Sequence, residues 1–282
     1  MTTTAGTTRP AARGLFLLGP AFVAAIAYVD PGNVAANLTG GARYGYLLVW
    51  VLVAANLIAG LVQYQSAKLG LVTGRTLPEL LGDRLKPVPR RLFWVQAELV
   101  AAATDLAEVI GGAIALNLLF GVPLFVGGII VGAVSMGLLA VQSRYGQRPF
   151  ESVIIGLLAI IAIGFLAGLF ISPPDGLAVL GGLVPRFEGS ASVLLSASML
   201  GATVMPHAIY VHSALARDRH GRGATADARK RLLRATKWDV MIALGLAGIV
   251  NIGMLLLAAV NLRNIDGTDT ISGAHAAIGA AL

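Results

Sequence analysis

The segment AFVAAIAYVDPGNVAANL (residues 21–38) sets an acid, a proline, a glycine and an amide side by side, Asp30 to Asn33, at the midpoint of an otherwise apolar run. A charge at the centre of a bilayer costs roughly 2.5–3.5 kcal/mol on insertion scales. Pro31 has no N–H and Gly32 tolerates unusual dihedrals, so the helix is expected to unwind there and free backbone carbonyls. Asp30 adds a carboxylate and Asn33 an amide oxygen, a hard-oxygen set suited to a cation. A simple proline kink would leave Asp30 unpaired in lipid.

A second interruption lies in LLSASMLGATVMPHAIYVHSAL (residues 194–215), where Gly201, Thr203, Pro206 and His207 fall mid-span and a helix break is expected near 201–206. Met205 stands in that break. A thioether is ordinarily core filler, but beside two oxygen donors it selects for Mn²⁺, Fe²⁺, Co²⁺ and later metals, because Ca²⁺ and Mg²⁺ do not use sulfur. His207 and His212 are five residues apart, about 140° around a helix, so they do not bind one ion together. Imidazole titrates near neutral pH, which fits a proton relay, and the bland alternative is a hydrogen-bonded packing histidine.

The third constellation is VQAELVAAATDLAEVIGGAIALNLLF (residues 95–120). Its acids are spaced by seven and three, which places Asp105 about 20° and Glu108 about 80° from Glu98 on one helix face. Carboxylates sharing an intramembrane face mark a proton or ion path more often than mere packing. Asp30 and these three are read as the deep acids, and the other ten as lying in loops or within about a turn of helix ends.

These residues must be held by membrane helices. Apolar residues make up 56% of the 282 and charged residues 12%, which lies outside the soluble globular range and gives an all-α membrane protein. Apolar runs long enough to span about 30 Å of hydrocarbon fall at 14–39, 46–71, 93–119, 122–141, 150–171, 193–215 and 238–261, making seven helices. An eighth begins at SGAHAAIGAAL and stops after about two turns, so the sequence is expected to be truncated. The first run lacks a small-residue cleavage site, and a removable signal peptide is not expected. There is no Cys, hence no disulfide or thiolate site.

Of the 21 Lys and Arg, 17 lie in the N-terminal tail and in the connections between helices 2 and 3, 4 and 5, and 6 and 7. The positive-inside rule makes those segments and the N-terminus cytoplasmic, in a cell inner (plasma) membrane. The net charge of +7 therefore reflects topology. RDRHGRGATADARKRLLRATK (residues 217–237) is read as an anionic-headgroup contact, with no nucleic-acid partner. The sequence gives no oligomeric state.

DPGN in helix 1, TDLAEVIG in helix 3 and GATVMPH followed by HS in helix 6 resemble the Nramp family, proton-coupled importers of Mn²⁺ and Fe²⁺. The similarity runs from about Gly19 to the end and includes SAKLGLVTGR and SRYGQRPFE. It implies a LeuT-type inverted-repeat transporter, here helices 1–7 plus the start of helix 8. On that plan residues 1–13 are a cytoplasmic tail, 14–171 the first five-helix repeat, 172–192 an extracytoplasmic loop and 193–282 an incomplete second repeat. Metal would be held by Asp30, Asn33, Met205 and the Ala202 carbonyl. The proton route would use His207, Asp105, Glu108 and, nearer the other end of helix 3, Glu98. A family Gln in helix 2 matches Gln63, which with Gly32 and His212 is expected to line the cavity. The metal and protons are cargo, and no permanently bound cofactor is expected. Two positions depart from the family pattern: Ala208 stands where Asn is usual, and SMGLL in helix 4 where an Asp often sits.

Competing readings are a LeuT-type symporter for an organic solute, disfavoured because Asp30 would repel a carboxylate, and a fragment without activity. An intramembrane enzyme is not expected, since HExxH, nucleophile-elbow and P-loop patterns are all missing.

Overall fold

The computed structural model describes residues 19–221 and 225–263, together with Ile265, Ser272, Gly273, His275 and Ala276. The expected tail 1–13, the first residues of helix 1 and most of the eighth run lie outside them. All regular structure among the described residues is helical: α1 Pro20–Ile26, α2 Pro31–Tyr44, α3 Val49–Thr73, α4 Leu77–Arg84, α5 Pro87–Phe120, α6 Leu124–Tyr145, α7 Gln147–Ile171, α8 Gly176–Gly181, α9 Gly189–Thr203, α10 Pro206–His220 and α11 Ala226–Asn261. Among the described residues six spans are long and apolar enough to cross a membrane, counting α9 with α10 as one; α1 is a shorter apolar half-helix.

Both expected breaks are present, inside the expected spans 30–33 and 201–206. Helix 1 tightens into a 3₁₀ turn at Ala27–Val29 and stops at Asp30, whose backbone is extended (φ −80°, ψ 169°). Gly32 is already inside α2, so the unwinding belongs to Asp30 alone. In helix 6, Gly201 sits within α9 with open space around it, and the chain leaves helical geometry at Val204 and Met205 (φ −84°, ψ 123° at Met205). A shared local rule explains both restarts. A residue in extended conformation is followed by proline at the first helical position, where a missing N–H costs nothing.

α11 begins three turns before the expected start at 238, because its basic segment continues the helix from a Thr225 cap. Short helices α4 and α8 were not expected. α4 starts with a Thr76–Glu79 capping box, a signal visible in TLPE. Gly74 and Gly121 close α3 and α5 in left-handed conformation.

The core forms where α11 packs against α1, α2, α3 and α7. Met254, Val250, Leu244 and Ala247 meet Tyr28, Leu158 and Ala25 there, and a second cluster sets Leu255 and Met199 against Leu48 and Leu52. The α5–α6 hairpin stands outside this core and touches it through α2, α7 and α10.

Candidate functional site

The broken ends of helices 1 and 6 meet. Asp30 is the N-cap of α2: one carboxylate oxygen accepts the Asn33 backbone N–H at 2.7 Å and the Asn33 amide N–H at 2.8 Å. The same Asn33 nitrogen donates to the Ala202 carbonyl at 3.0 Å, the last turn of α9. The Thr203 hydroxyl lies 3.2 Å from Asn33 Oδ1 and donates to the Met199 carbonyl at 2.7 Å. Asn33 is fully buried, Met205 is 5% exposed and Asp30 half-buried. Two oxygens from different helices, the Asp30 carboxylate and the Ala202 carbonyl, thus converge on one N–H₂ group that carries partial positive charge. Rotating the Asn33 amide by 180° would turn Oδ1 toward the same point and leave three oxygens around it, beside the break that holds Met205.

Among the described residues there is no group of three His, Asp or Glu able to hold a metal. Any cation at the breaks therefore depends on a mixed set of carboxylate, amide, carbonyl and thioether, a composition that suits transition metals.

His207 follows Pro206 in the first turn of α10, and its Nδ1 is buried without a hydrogen-bond partner among the described residues. The Asp30 and Asp105 carboxylates are near enough for their charges to act on it, and both also act on Glu108. The structure so brings Asp30, His207, Asp105 and Glu108 into one electrostatic neighbourhood. Glu98 stands apart, about 10 Å along α5 from Asp105, and lines a groove against α4 and α10. All three α5 acids are exposed on the helix face. What lets α5 approach the site is Gly111: a Cβ there would overlap the Pro31 ring.

His212 and Gln63 are fully buried and bonded to each other, Nδ1 to Oε1 at 2.8 Å, and Gln63 Nε2 donates to the Tyr28 hydroxyl at 2.9 Å. Since Gln63 Oε1 can only accept, the ring proton sits on Nδ1. His212 is accordingly a link between α3, α10 and helix 1 rather than a group lining open space.

Two polar networks escaped the reading of the sequence. Asn251 donates to the Tyr28 carbonyl at 2.8 Å and accepts from Asn37 at 2.8 Å, fixing the last turn before the helix 1 break. At the end bearing the basic segments, the Asp239 carboxylate accepts from the Gly19 and Ala21 backbone N–H groups at 3.0 Å each. Next to it Glu151 accepts one hydrogen bond from the Gln147 amide at 2.7 Å and pairs with Arg219 at 3.4 Å. Asp239 and Glu151 are 2% and 4% exposed. Both lie near the ends of their apolar runs, as expected, but are enclosed there by protein: α1 folds over Asp239, and Arg219 pairs with Glu151. Amides and acids inside runs such as GIVNIG were the available signal.

Comparison with known proteins gives the same picture. The model of the family described as natural resistance-associated macrophage protein-like (Nramp) matches residues 21–282. The chain is 62% identical over 263 residues to the divalent metal cation transporter MntH of Mycobacterium tuberculosis H37Rv, covering 93% of this chain and 61% of that protein. It is 50% identical over 250 residues to MntH of Bacillus subtilis, covering 88% and 58%. Among solved structures, a mutant of the Eremococcus coleocola manganese transporter superposes with a TM-score of 0.83 at 30% identity, covering 98% of this chain and 57% of that one. The same transporter bound to an aromatic bis-isothiourea compound gives 0.80 at 32%, covering 92% and 54%. The chain spans about three-fifths of the length of the curated relatives it matches. With the all-α fold, the two helix breaks and the family match in agreement, this chain belongs to the Nramp family of membrane proteins.

Proposed function

We propose that this chain carries the metal-binding half of a proton-coupled importer of divalent transition metals, Mn²⁺ and Fe²⁺. The observation that supports it most is the convergence of Asp30 and the Ala202 carbonyl on the Asn33 amide across two broken helices. The metal is cargo: Asp30 supplies the charge, Asn33 and Ala202 neutral oxygens, and Met205 a sulfur that Ca²⁺ and Mg²⁺ do not use. The relatives' printed names, divalent metal cation transporter and manganese transporter, point the same way.

His207, whose buried Nδ1 has no hydrogen-bond partner among the described residues, is the first proton carrier, with Asp105 and Glu108 next along α5 and Glu98 toward the basic end. Seventeen basic residues on that side orient the N-terminus to the cytoplasm of a plasma membrane. The breaks in helices 1 and 6, five helices apart, support the plan of a five-helix repeat over 14–171 and the opening of a second over 193–282.

The test is Mn²⁺ uptake into proteoliposomes with and without an inward proton gradient, beside Mn²⁺ paramagnetic resonance of the purified chain. Bound Mn²⁺ with gradient-stimulated uptake is expected. Bound Mn²⁺ without uptake would restrict this chain to binding, and Mn²⁺ that stays free would refute the metal site.

A further inference from the structure

One groove lies beside α4 and not at the helix breaks themselves. It measures about 500 Å³ and runs between α4, the start of α5 and α10. Leu81, Leu85, Phe93, Trp94, Ala97 and Tyr210 line it together with Arg90, Arg91 and Glu98, and Glu98 lies about 10 Å of helix away from Arg91.

The charges around the rim are not balanced. Asp83 pairs with Arg75, and Glu79 with Arg217 at 3.0 Å, so the two α4 acids are taken, and the unpaired Glu98 lies about two turns of α5 beyond Arg91. Arg84, Lys86, Arg90 and Arg91 form no ion pair with a carboxylate among the described residues; Arg90 reaches only the Gly82 carbonyl, at 3.3 Å. Beside them Val88, Leu92 and Trp94 are more than 60% exposed. Basic residues, an outward tryptophan and apolar side chains within two helical turns match the level where headgroups meet hydrocarbon.

We propose that this groove is a binding site for an anionic phospholipid of the leaflet on the basic side. The phosphodiester would lie between Arg90 and Arg91, within reach of Arg84 and Lys86, and one acyl chain along Leu81, Leu85, Phe93 and Ala97. The polarity of the groove is that of the ligand, cationic at one end and apolar along the rest, and an anionic headgroup supplies the charge that the corner lacks. This reading is independent of metal transport, although the acyl end approaches Glu98.

The test is native mass spectrometry of the detergent-purified chain titrated with phosphatidylglycerol and, separately, phosphatidylcholine. Each surface basic residue contributes about a fivefold preference for anionic lipid, so R90Q/R91Q should weaken the tightest phosphatidylglycerol by about 25-fold. R186Q/R263Q removes the same charge from exposed residues on the opposite side of the membrane and should change it less than about twofold. Ala97→Trp, which fills the groove and leaves every charge, should abolish the preference. The site is refuted if R90Q/R91Q behaves like the control pair, or if Ala97→Trp binds as the parent does, since surface attraction alone would then suffice. Displacement of the lipid by millimolar glycerol phosphate would show a free-phosphate site and likewise overturn it. The chain has no Cys, so oxidation of Ala97→Cys supplies the last arm. Disulfide dimers would make a second copy the occupant; monomers that retain phosphatidylglycerol support the lipid.

Discussion

α11 and the α5–α6 hairpin are both apolar enough to span a bilayer, yet they sit in opposite environments. The most apolar stretch of α11 is 67% buried, whereas those of α5 and α6 are each 6% buried. Their polar residues follow suit. Asp239 and Asn251 on α11 are saturated by the α1 backbone and by Tyr28 and Asn37. Glu98, Asp105 and Glu108 on α5 face outward and make no hydrogen bond or ion pair among the described residues. In lipid each such carboxylate would cost about 2.5–3.5 kcal/mol. α11 is therefore the scaffold on which the helix breaks are set, and the acidic face of α5 is a surface that further protein or water must cover in a membrane.

The sharpest way to break this contrast is to cut one acid on each side. Asp239→Ala leaves two buried α1 N–H groups without an acceptor, at about 1–3 kcal/mol each, and should lower the melting temperature of the purified chain by many degrees. Asp105→Ala, on the open face, should stay within about 0.5 kcal/mol. Equal losses would mean that α5 is covered in solution by a contact such as a second copy.

The next largest effect is on metal. Asp30→Asn keeps an N-cap, since Asn caps as well as Asp, while removing the ligand charge. Mn²⁺ binding by paramagnetic resonance should fall on the order of a hundredfold, about 2.8 kcal/mol, with the melting temperature nearly unchanged. A large loss of stability together with intact binding would make Asp30 a cap and nothing more.

Sequence reasoning reached the two breaks because proline beside an acid or a thioether in an apolar run has few innocent explanations. The spans 30–33 and 201–206 held, but the part given to glycine did not: Asp30 and Met205 leave the helix, each in an extended conformation open to any residue. The partner of each polar side chain was not legible at all. Asp239 lies 218 residues from Ala21 and Asn37 lies 214 from Asn251 in the chain, and only the packing of α11 brings them together.

Met205 gives a smaller effect. Because it is 5% exposed, Met205→Leu is the informative change: it conserves volume at under about 1.5 kcal/mol and removes only the sulfur. The preference for Mn²⁺ over Ca²⁺ in competition should narrow by about tenfold, or 1.4 kcal/mol. An unchanged preference would return Met205 to the role of packing filler. Smaller still is the glycine pair. Gly111→Ala gains about 1 kcal/mol of helix propensity but drives a methyl into the Pro31 ring, at about 1–3 kcal/mol, so a net loss near 1 kcal/mol is expected. Gly137→Ala, on α6 with nothing near its Cβ, should keep the whole gain. A matching gain at Gly111 would show that α5 rides loosely on the break.

The smallest expected effect separates the docked edge of the core from its interior. α4 is held to α10 by the bond from the Leu77 N–H to the Ser213 hydroxyl and by Arg217 to Glu79, both at 3.0 Å. Glu79 also accepts the Thr76 N–H at 2.9 Å. The Thr76 N–H first, and Arg217 after it, hold the Glu79 carboxyl below the usual carboxylate range. A depressed value means that the charged form is favoured in the folded chain. Its contribution is fully present above the unfolded value of about 4.3 and is lost as pH falls through the lower folded one. Because Glu79 is exposed, water and salt screen most of it. Amide exchange in α4 should then be flat from pH 8 to about 5, once corrected for intrinsic rates, and quicken only below about pH 4. Glu79→Gln should quicken it at every pH and remove the acid step. An acid step that survives Glu79→Gln would assign the docking of α4 to another group, and a step near neutrality would point to a histidine instead.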